Sequence, residues 1–98
     1  MANYFRLTNG FFNRTEVVLL EAEKDGFKYL NFLLKLYAIG VKHDGRLLLH
    51  EMLPYDVKML ACTTRCNEGL VEKALERLQF YGFVEITEEG VICMKELD

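Results

Sequence analysis

Apolar residues recur along most of this chain at helical spacing, and near its end they switch to short alternating runs. Tyr4 to Leu7 reads as a short strand. Asn13-Arg14-Thr15-Glu16 has the form of a capping box, with Asn13 accepting from a backbone N–H and Glu16 reaching back; it predicts a first helix of about ten residues ending near Lys24. A second helix is predicted from about Asp25 to Ile39, with Gly40 as a left-handed stop. Its polar positions Lys28, Asn31, Lys35 and Lys42 fall on one narrow stripe. Phe27, Leu30, Phe32, Leu33, Leu34, Leu36, Tyr37 and Ile39 cover the rest, so this helix must be central.

The second half is punctuated by stronger local signals. Asp44-Gly45 marks a turn, and Arg46 to His50 reads as a short strand. Pro54 suits the first turn of a third helix running through Thr63, where its missing N–H costs nothing. A fourth helix starts after Asn67, a good N-cap, and places Leu70, Val71, Ala74, Leu75 and Leu78 on one face. Gly82 ends it. Strands Phe83 to Thr87 and Val91 to Lys95 follow, joined by Glu88-Glu89-Gly90 as a tight turn. The order is helix, helix, strand, helix, helix, hairpin, which is the layout of a winged helix-turn-helix: mainly α with a small β-sheet, about four helices and a C-terminal β-hairpin wing.

Length and composition narrow this further. With 98 residues, one proline and 51% hydrophobic content, residues 1–98 are expected to form a single domain with one core. The aromatic content of 12% excludes intrinsic disorder. A formal net charge of −3 argues against a general nucleic-acid coat, but the charge is unevenly spread. Residues 1–65 carry nine basic and seven acidic side chains, a balance of +2, whereas residues 66–98 carry three basic and eight acidic, a balance of −5. A polyanion should therefore prefer the first two-thirds of the chain. The first ten residues have no secretory pattern, and the apolar stretch Phe27 to Val41 is too short and too interrupted for a membrane span. Three cysteines without CxxC spacing fit a reducing cytoplasm, so the protein is read as cytoplasmic, with no membrane partner.

No phosphate-binding glycine loop, nucleophile elbow or HExxH motif is present, so no enzyme activity and no cofactor is expected. Cys62, Cys66, His43 and His50 lack the paired spacing of a zinc site, and both cysteines are expected to pack in the core. The aromatic set Tyr4, Phe5, Phe11, Phe12, Phe27, Tyr29, Phe32 and Tyr37 exceeds what one side of a small fold needs. Part of it, on the N-terminal segment and the second helix, is expected to form a homodimer surface.

The run Leu60-Ala61-Cys62-Thr63-Thr64-Arg65-Cys66-Asn67, followed by Val71, Ala74-Leu75, Leu78 and Gly82-Phe83-Val84, has the buried-position spacing of winged helices, with Ala61 small at the helix crossing. Together with Tyr4-Phe5-Arg6-Leu7, Phe11-Phe12-Asn13, the apolar helix Tyr29 to Gly40, Gly45-Arg46-Leu47-Leu48-Leu49 and Leu53-Pro54-Tyr55, it resembles the N-terminal domain of phage replisome organisers, which are similar to DnaD-like bacterial replication initiators. Members of that family are generally longer, so the chain is expected to be the N-terminal domain of a longer protein. The resemblance implies binding to double-stranded phage origin DNA, help in bringing a replicative helicase or its loader there, and self-association as a homo-oligomer.

In a helix-turn-helix the turn touches phosphates and the start of the second helix enters the major groove. That places Lys58, Thr63, Thr64 and Arg65 against phosphates, with Asn67, Glu68, Lys73 and Arg77 along the recognition helix, and Lys42, Arg46 and His50 as possible additions. Gly69, Glu72 and Glu76 share that helix face, and three glutamates there oppose phosphates, as do Glu88 and Glu89 at the wing tip. The same residues read as a solvated helix face held by ion pairs. The alternative is accordingly a winged helix used only for protein–protein contact or oligomerisation.

Overall fold

The computed structural model describes residues 10–50 and 52–95, and the chain enters it through a 3-10 turn at Phe11–Asn13 that buries Phe11. The strand expected at Tyr4 to Leu7 lies outside the described residues. Burying Phe11 draws Asn13 into this turn, where its N–H donates to Gly10 O at 3.0 Å. Arg14 becomes the N-cap of helix α1 (Thr15–Ala22) with no side-chain cap, so the expected capping box does not form and the helix has eight residues. Val17 and Leu20 face the core.

The reversal into helix α2 (Gly26–Gly40) is tight. Asp25 adopts φ 65° and Gly26 donates to Glu23 O at 2.8 Å. A Cβ on Gly26 would lie 2.4 Å from the carbonyl oxygens of both Leu20 and Glu21, so the helix start is pressed onto the last turn of α1. Helix α2 buries Tyr29, Leu30, Phe32, Leu33, Leu36 and Tyr37 and packs on α1, the two later helices and the last strand, the central position its composition required. Gly40 is not a left-handed stop. It stays helical at φ −73° and passes into a 3-10 turn at Val41–His43; the reversal comes at Asp44 and Gly45, with φ 55° and 88°. Gly40 is small for a packing reason: a Cβ would meet Gly45, Leu47 and Met94 at 3.3 Å.

Strands β1 (Leu48–Leu49) and β2 (Leu53–Pro54) form a short antiparallel pair with Leu48 opposite Pro54. Pro54 therefore belongs to a strand and not to the first turn of a helix. Asp56 caps helix α3 (Val57–Thr64) by accepting from the Met59 N–H at 2.8 Å. Asn67 caps helix α4 (Glu68–Phe80) in the same way, accepting from Leu70 at 2.7 Å, and Val71, Ala74, Leu75 and Leu78 are buried as the spacing predicted. Gly82 at φ 83° turns the chain so that Phe83 is buried.

Strands β3 (Val84–Ile86) and β4 (Ile92–Met94) pair antiparallel, Val84 opposite Met94, around Gly90 at φ 86°. Residues 45–47 add a third rung to this wing: Leu47 donates to Ile92 O at 2.9 Å and Met94 donates to Gly45 O at 2.7 Å. The result is mainly α with a small β component, a winged helix-turn-helix built from α2, α3, α4 and the wing, with α1 laid across α2. Among the described residues no helix is long and apolar enough to cross a membrane.

The contact at Gly26 yields a sign opposite to helix propensity. In an ordinary helix Gly→Ala gains up to about 1 kcal/mol, but here the new methyl meets fixed backbone oxygens. Gly26→Ala is expected to destabilise the fold by about 2–3 kcal/mol, as overpacking does, measured by urea denaturation; an unchanged or raised midpoint would refute the close approach.

Candidate nucleic-acid interface

Helix α3 ends in a Schellman turn: Arg65 takes the left-handed conformation at φ 61° and ψ 39°, and Cys66 donates its N–H to Ala61 O at 3.1 Å. Glycine usually fills that place, and a larger residue there costs on the order of 1 kcal/mol. Thr64 lies at the helix end with only 1% of its surface exposed. Its hydroxyl donates to Leu60 O and its carbonyl accepts from Lys35 Nζ, both at 2.7 Å. Burial withdraws Thr64 from the phosphate-contacting set, whereas Lys58, Thr63 and Arg65 are exposed.

Lys35 was placed in the sequence only as part of the polar stripe of the second helix. Its half-buried ammonium ties α2 to the turn at the carbonyl end of α3, where the helix dipole favours a cation. A lysine set deep in the apolar part of that helix, flanked by Leu34 and Leu36, is the one signal that could have marked it.

On α4, Asn67 uses its side-chain oxygen as the cap, and Glu68, Gly69, Glu72, Lys73 and Glu76 are exposed. Lys73 pairs with Glu76 at 3.6 Å. Arg77 turns away toward the α1–α2 junction, where it donates to Glu23 from Nε at 2.9 Å and from Nη2 at 2.7 Å. Tyr81 donates its hydroxyl to the same carboxylate, and the Arg77 guanidinium stacks 4.6 Å over the Phe80 ring. The hydrogen bonds from Arg77 and then Tyr81 hold the Glu23 carboxyl below its ordinary value, and Glu23 in turn raises Arg77. Arg77, expected among the groove contacts, is thus engaged in a clamp within the fold. Glu23, Lys24, Asp25, Tyr29, Lys73 and Arg77 line an open depression of about 500 Å³ whose charges are of both signs.

The cations sort into two groups. After residue 65, Lys73, Arg77 and Lys95 all have carboxylate partners, Lys95 through Glu85 at 2.8 Å. Up to and including it, Arg14 and Lys28 pair with Glu16 and Asp25 at 3.9 and 3.6 Å, while Lys24, Lys42, Arg46, Lys58 and Arg65 have no carboxylate within ion-pair distance among the described residues. Glu88 and Glu89 stand exposed at the wing tip.

Two other expectations change. Cys62 is exposed rather than packed in the core, while Cys66 and Cys93 are half-buried. Of the aromatic set, Phe11, Tyr29, Phe32 and Tyr37 are buried, leaving Phe12 and Phe27 exposed; Tyr4 and Phe5 lie outside the described residues.

Arg65→Gly is expected to raise stability by roughly 0.5–1 kcal/mol by relieving the left-handed strain, read as a higher melting temperature; a loss of stability would contradict the turn geometry. Glu23→Gln should lower the melting temperature at neutral pH. Because the folded carboxyl is held below its unfolded value of about 4.3, its contribution is complete above that value and fades as pH falls further. Parent and variant melting curves should draw together as pH falls below that value and through the lower folded one; a gap that persists once the carboxyl is protonated would show that charge is not what Glu23 supplies.

Comparison with known proteins gives one family, described as N-terminal phage replisome organiser, which matches residues 4–98. No curated protein and no solved structure matches the chain.

Proposed function

The chain belongs to the N-terminal phage replisome organiser family and so has a role in phage replication, and from that premise we propose that it binds double-stranded DNA from the turn side of its helix-turn-helix and self-associates. The observation that carries this reading is the division of the cations. Lys58 in the first turn of α3 and Arg65 just past its end are exposed and without carboxylate partners among the described residues, with Thr63 exposed near Arg65. Lys42 and Arg46 add unpaired charge on the segment between α2 and β1. Asn67 and Glu68 sit at the start of α4, where a groove contact would be made, but they bring no positive charge. Lys73 and Arg77 are neutralised locally and contribute little to phosphate binding.

The acidic surface supports a second role for the same molecule. Glu68, Glu72 and Glu76 on α4, with Glu88 and Glu89 on the wing, repel phosphates and suit contact with another protein. We assign that end to a partner in helicase delivery, the replicative helicase or its loader, with the protein working in the cytoplasm as a binding domain and not as an enzyme. A pure protein-interaction module is the alternative, favoured by the same glutamates.

Fluorescence anisotropy with labelled duplex from the phage origin tests the choice. With about two to four phosphate contacts per copy, log affinity should fall with log salt at a slope of about −2 to −4. Arg65→Ala and Lys58→Ala should each weaken binding several-fold, whereas Lys73→Ala changes it little. Absence of binding at low salt, or binding indifferent to Arg65→Ala and Lys58→Ala, would sink the turn-side model and leave the protein-interaction module.

A further inference from the structure

Helix α1 is apolar on two sides, and the core uses only one of them. Val17 and Leu20 are fully buried. Thr15, Val18, Leu19 and Ala22 point outward at the i, i+3, i+4, i+7 spacing of a packed helix face, with Val18 and Leu19 each 49% exposed. Phe12 stands exposed just before the helix and Phe27, 75% exposed, just after it. A helix whose only role was to cover α2 would carry polar residues there.

We propose that this face is a self-association seam, joining two copies of the chain antiparallel about a two-fold axis near Val18 and Leu19. The inference rests on the self-association part of the reading above and specifies its surface. Two observations commit it to a second copy. Within α1 the stripe reads alike in both directions, small, branched, branched, small, through Thr15, Val18, Leu19 and Ala22, with an exposed aromatic beyond each end at Phe12 and Phe27. Laid antiparallel on itself, it sets Val18 against Leu19 at the axis and Thr15 against Ala22 a turn away on either side, so branched meets branched and small meets small. Phe12 then extends toward the α1–α2 turn of the other copy, beyond which Phe27 stands. An isologous interface requires such self-matching, and a different partner does not.

The second observation is area. The exposed fractions of Phe12, Val18, Leu19 and Phe27 amount to roughly 400 Å² of mainly apolar surface. At the usual apolar share of interfaces this corresponds to about 700 Å² per copy, or about 1,400 Å² in total. That lies within the range of specific, stable complexes.

Sedimentation velocity on the full chain over about a hundredfold range of concentration reads the result. The parent should dimerise. Leu19→Glu should keep the parent circular dichroism spectrum and weaken dimerisation at least about tenfold, while Phe80→Ala, an exposed apolar change on α4, leaves it intact. In a Cys62→Ser background, an oxidised mixture of Thr15→Cys and Ala22→Cys chains should give a mixed disulfide dimer that the background alone does not, which decides the matter even if Leu19→Glu fails to fold.

A parent that stays monomeric, whether residues 1–9 or another protein covers the face, overturns the proposal together with self-association. A dimer indifferent to Leu19→Glu, with no mixed disulfide, overturns the seam but leaves self-association standing. Duplex binding by the Arg65 and Lys58 variants is read separately and decides neither outcome.

Discussion

Helix α2 buries side chains over so much of its circumference that it can exist only with protein packed on nearly every side. The placement of the other elements follows from that requirement. Helix α1 folds back across its start through the close contact at Gly26, α4 lies along it, and β4 meets its end where Gly40 leaves room for Met94. Its inner polar exception, Lys35, is tolerated because the ammonium reaches the Thr64 carbonyl instead of remaining unpartnered in an apolar setting. The same bond fixes the end of α3 and hence the turn, so the core helix and the candidate interface are held as one unit.

What the sequence made legible was whatever depends on neighbours in the chain. Asn67 as a cap, the buried face of α4, Gly82, and Gly90 in the wing turn all follow from local geometry, and they fix the helix-turn-helix and the hairpin. Features set by distant partners were misread. Asn13 lost its capping role because Phe11 is drawn into the core, and Gly40 is small because of Met94 and Gly45, not because of a left-handed turn. Pro54 pairs with Leu48 across a hairpin that periodicity does not encode.

The candidate site was read less completely for the same reason. Arg77 looks like a groove contact when α4 is drawn alone, yet its partner Glu23 lies 54 residues earlier, and no spacing rule links them. The segmental charge count missed a pairing between the two segments. Lys73 and Lys95 pair within the C-terminal third and leave its balance unchanged, but Arg77 pairs with Glu23 of the earlier part, so setting that pair aside leaves the earlier residues one unit more positive and the later ones one unit more negative.

Backbone conformation adds an independent argument for the turn. Four described residues other than glycine have positive φ: Asp25, Asp44, His50 and Arg65. Aspartate and histidine are among the types that tolerate this region, and arginine is not. The wing uses glycine at its own two left-handed positions, Gly82 and Gly90, so the fold has the simpler solution in hand and departs from it where an exposed cation results. A strain of about 1 kcal/mol is small against a core of this size, but it confers no folding advantage. On the proposed reading, its benefit is the contact that the guanidinium makes with phosphate. With so few unpaired cations per copy, affinity for a polyanion would be modest. Joining two copies through a surface on α1, away from α3, raises the effective concentration of the second turn once the first is bound. On the two proposals together, weak turns and an apolar outer face on α1 would be parts of one arrangement, in which oligomerisation would supply the affinity that the acidic α4 and wing deny to a single copy.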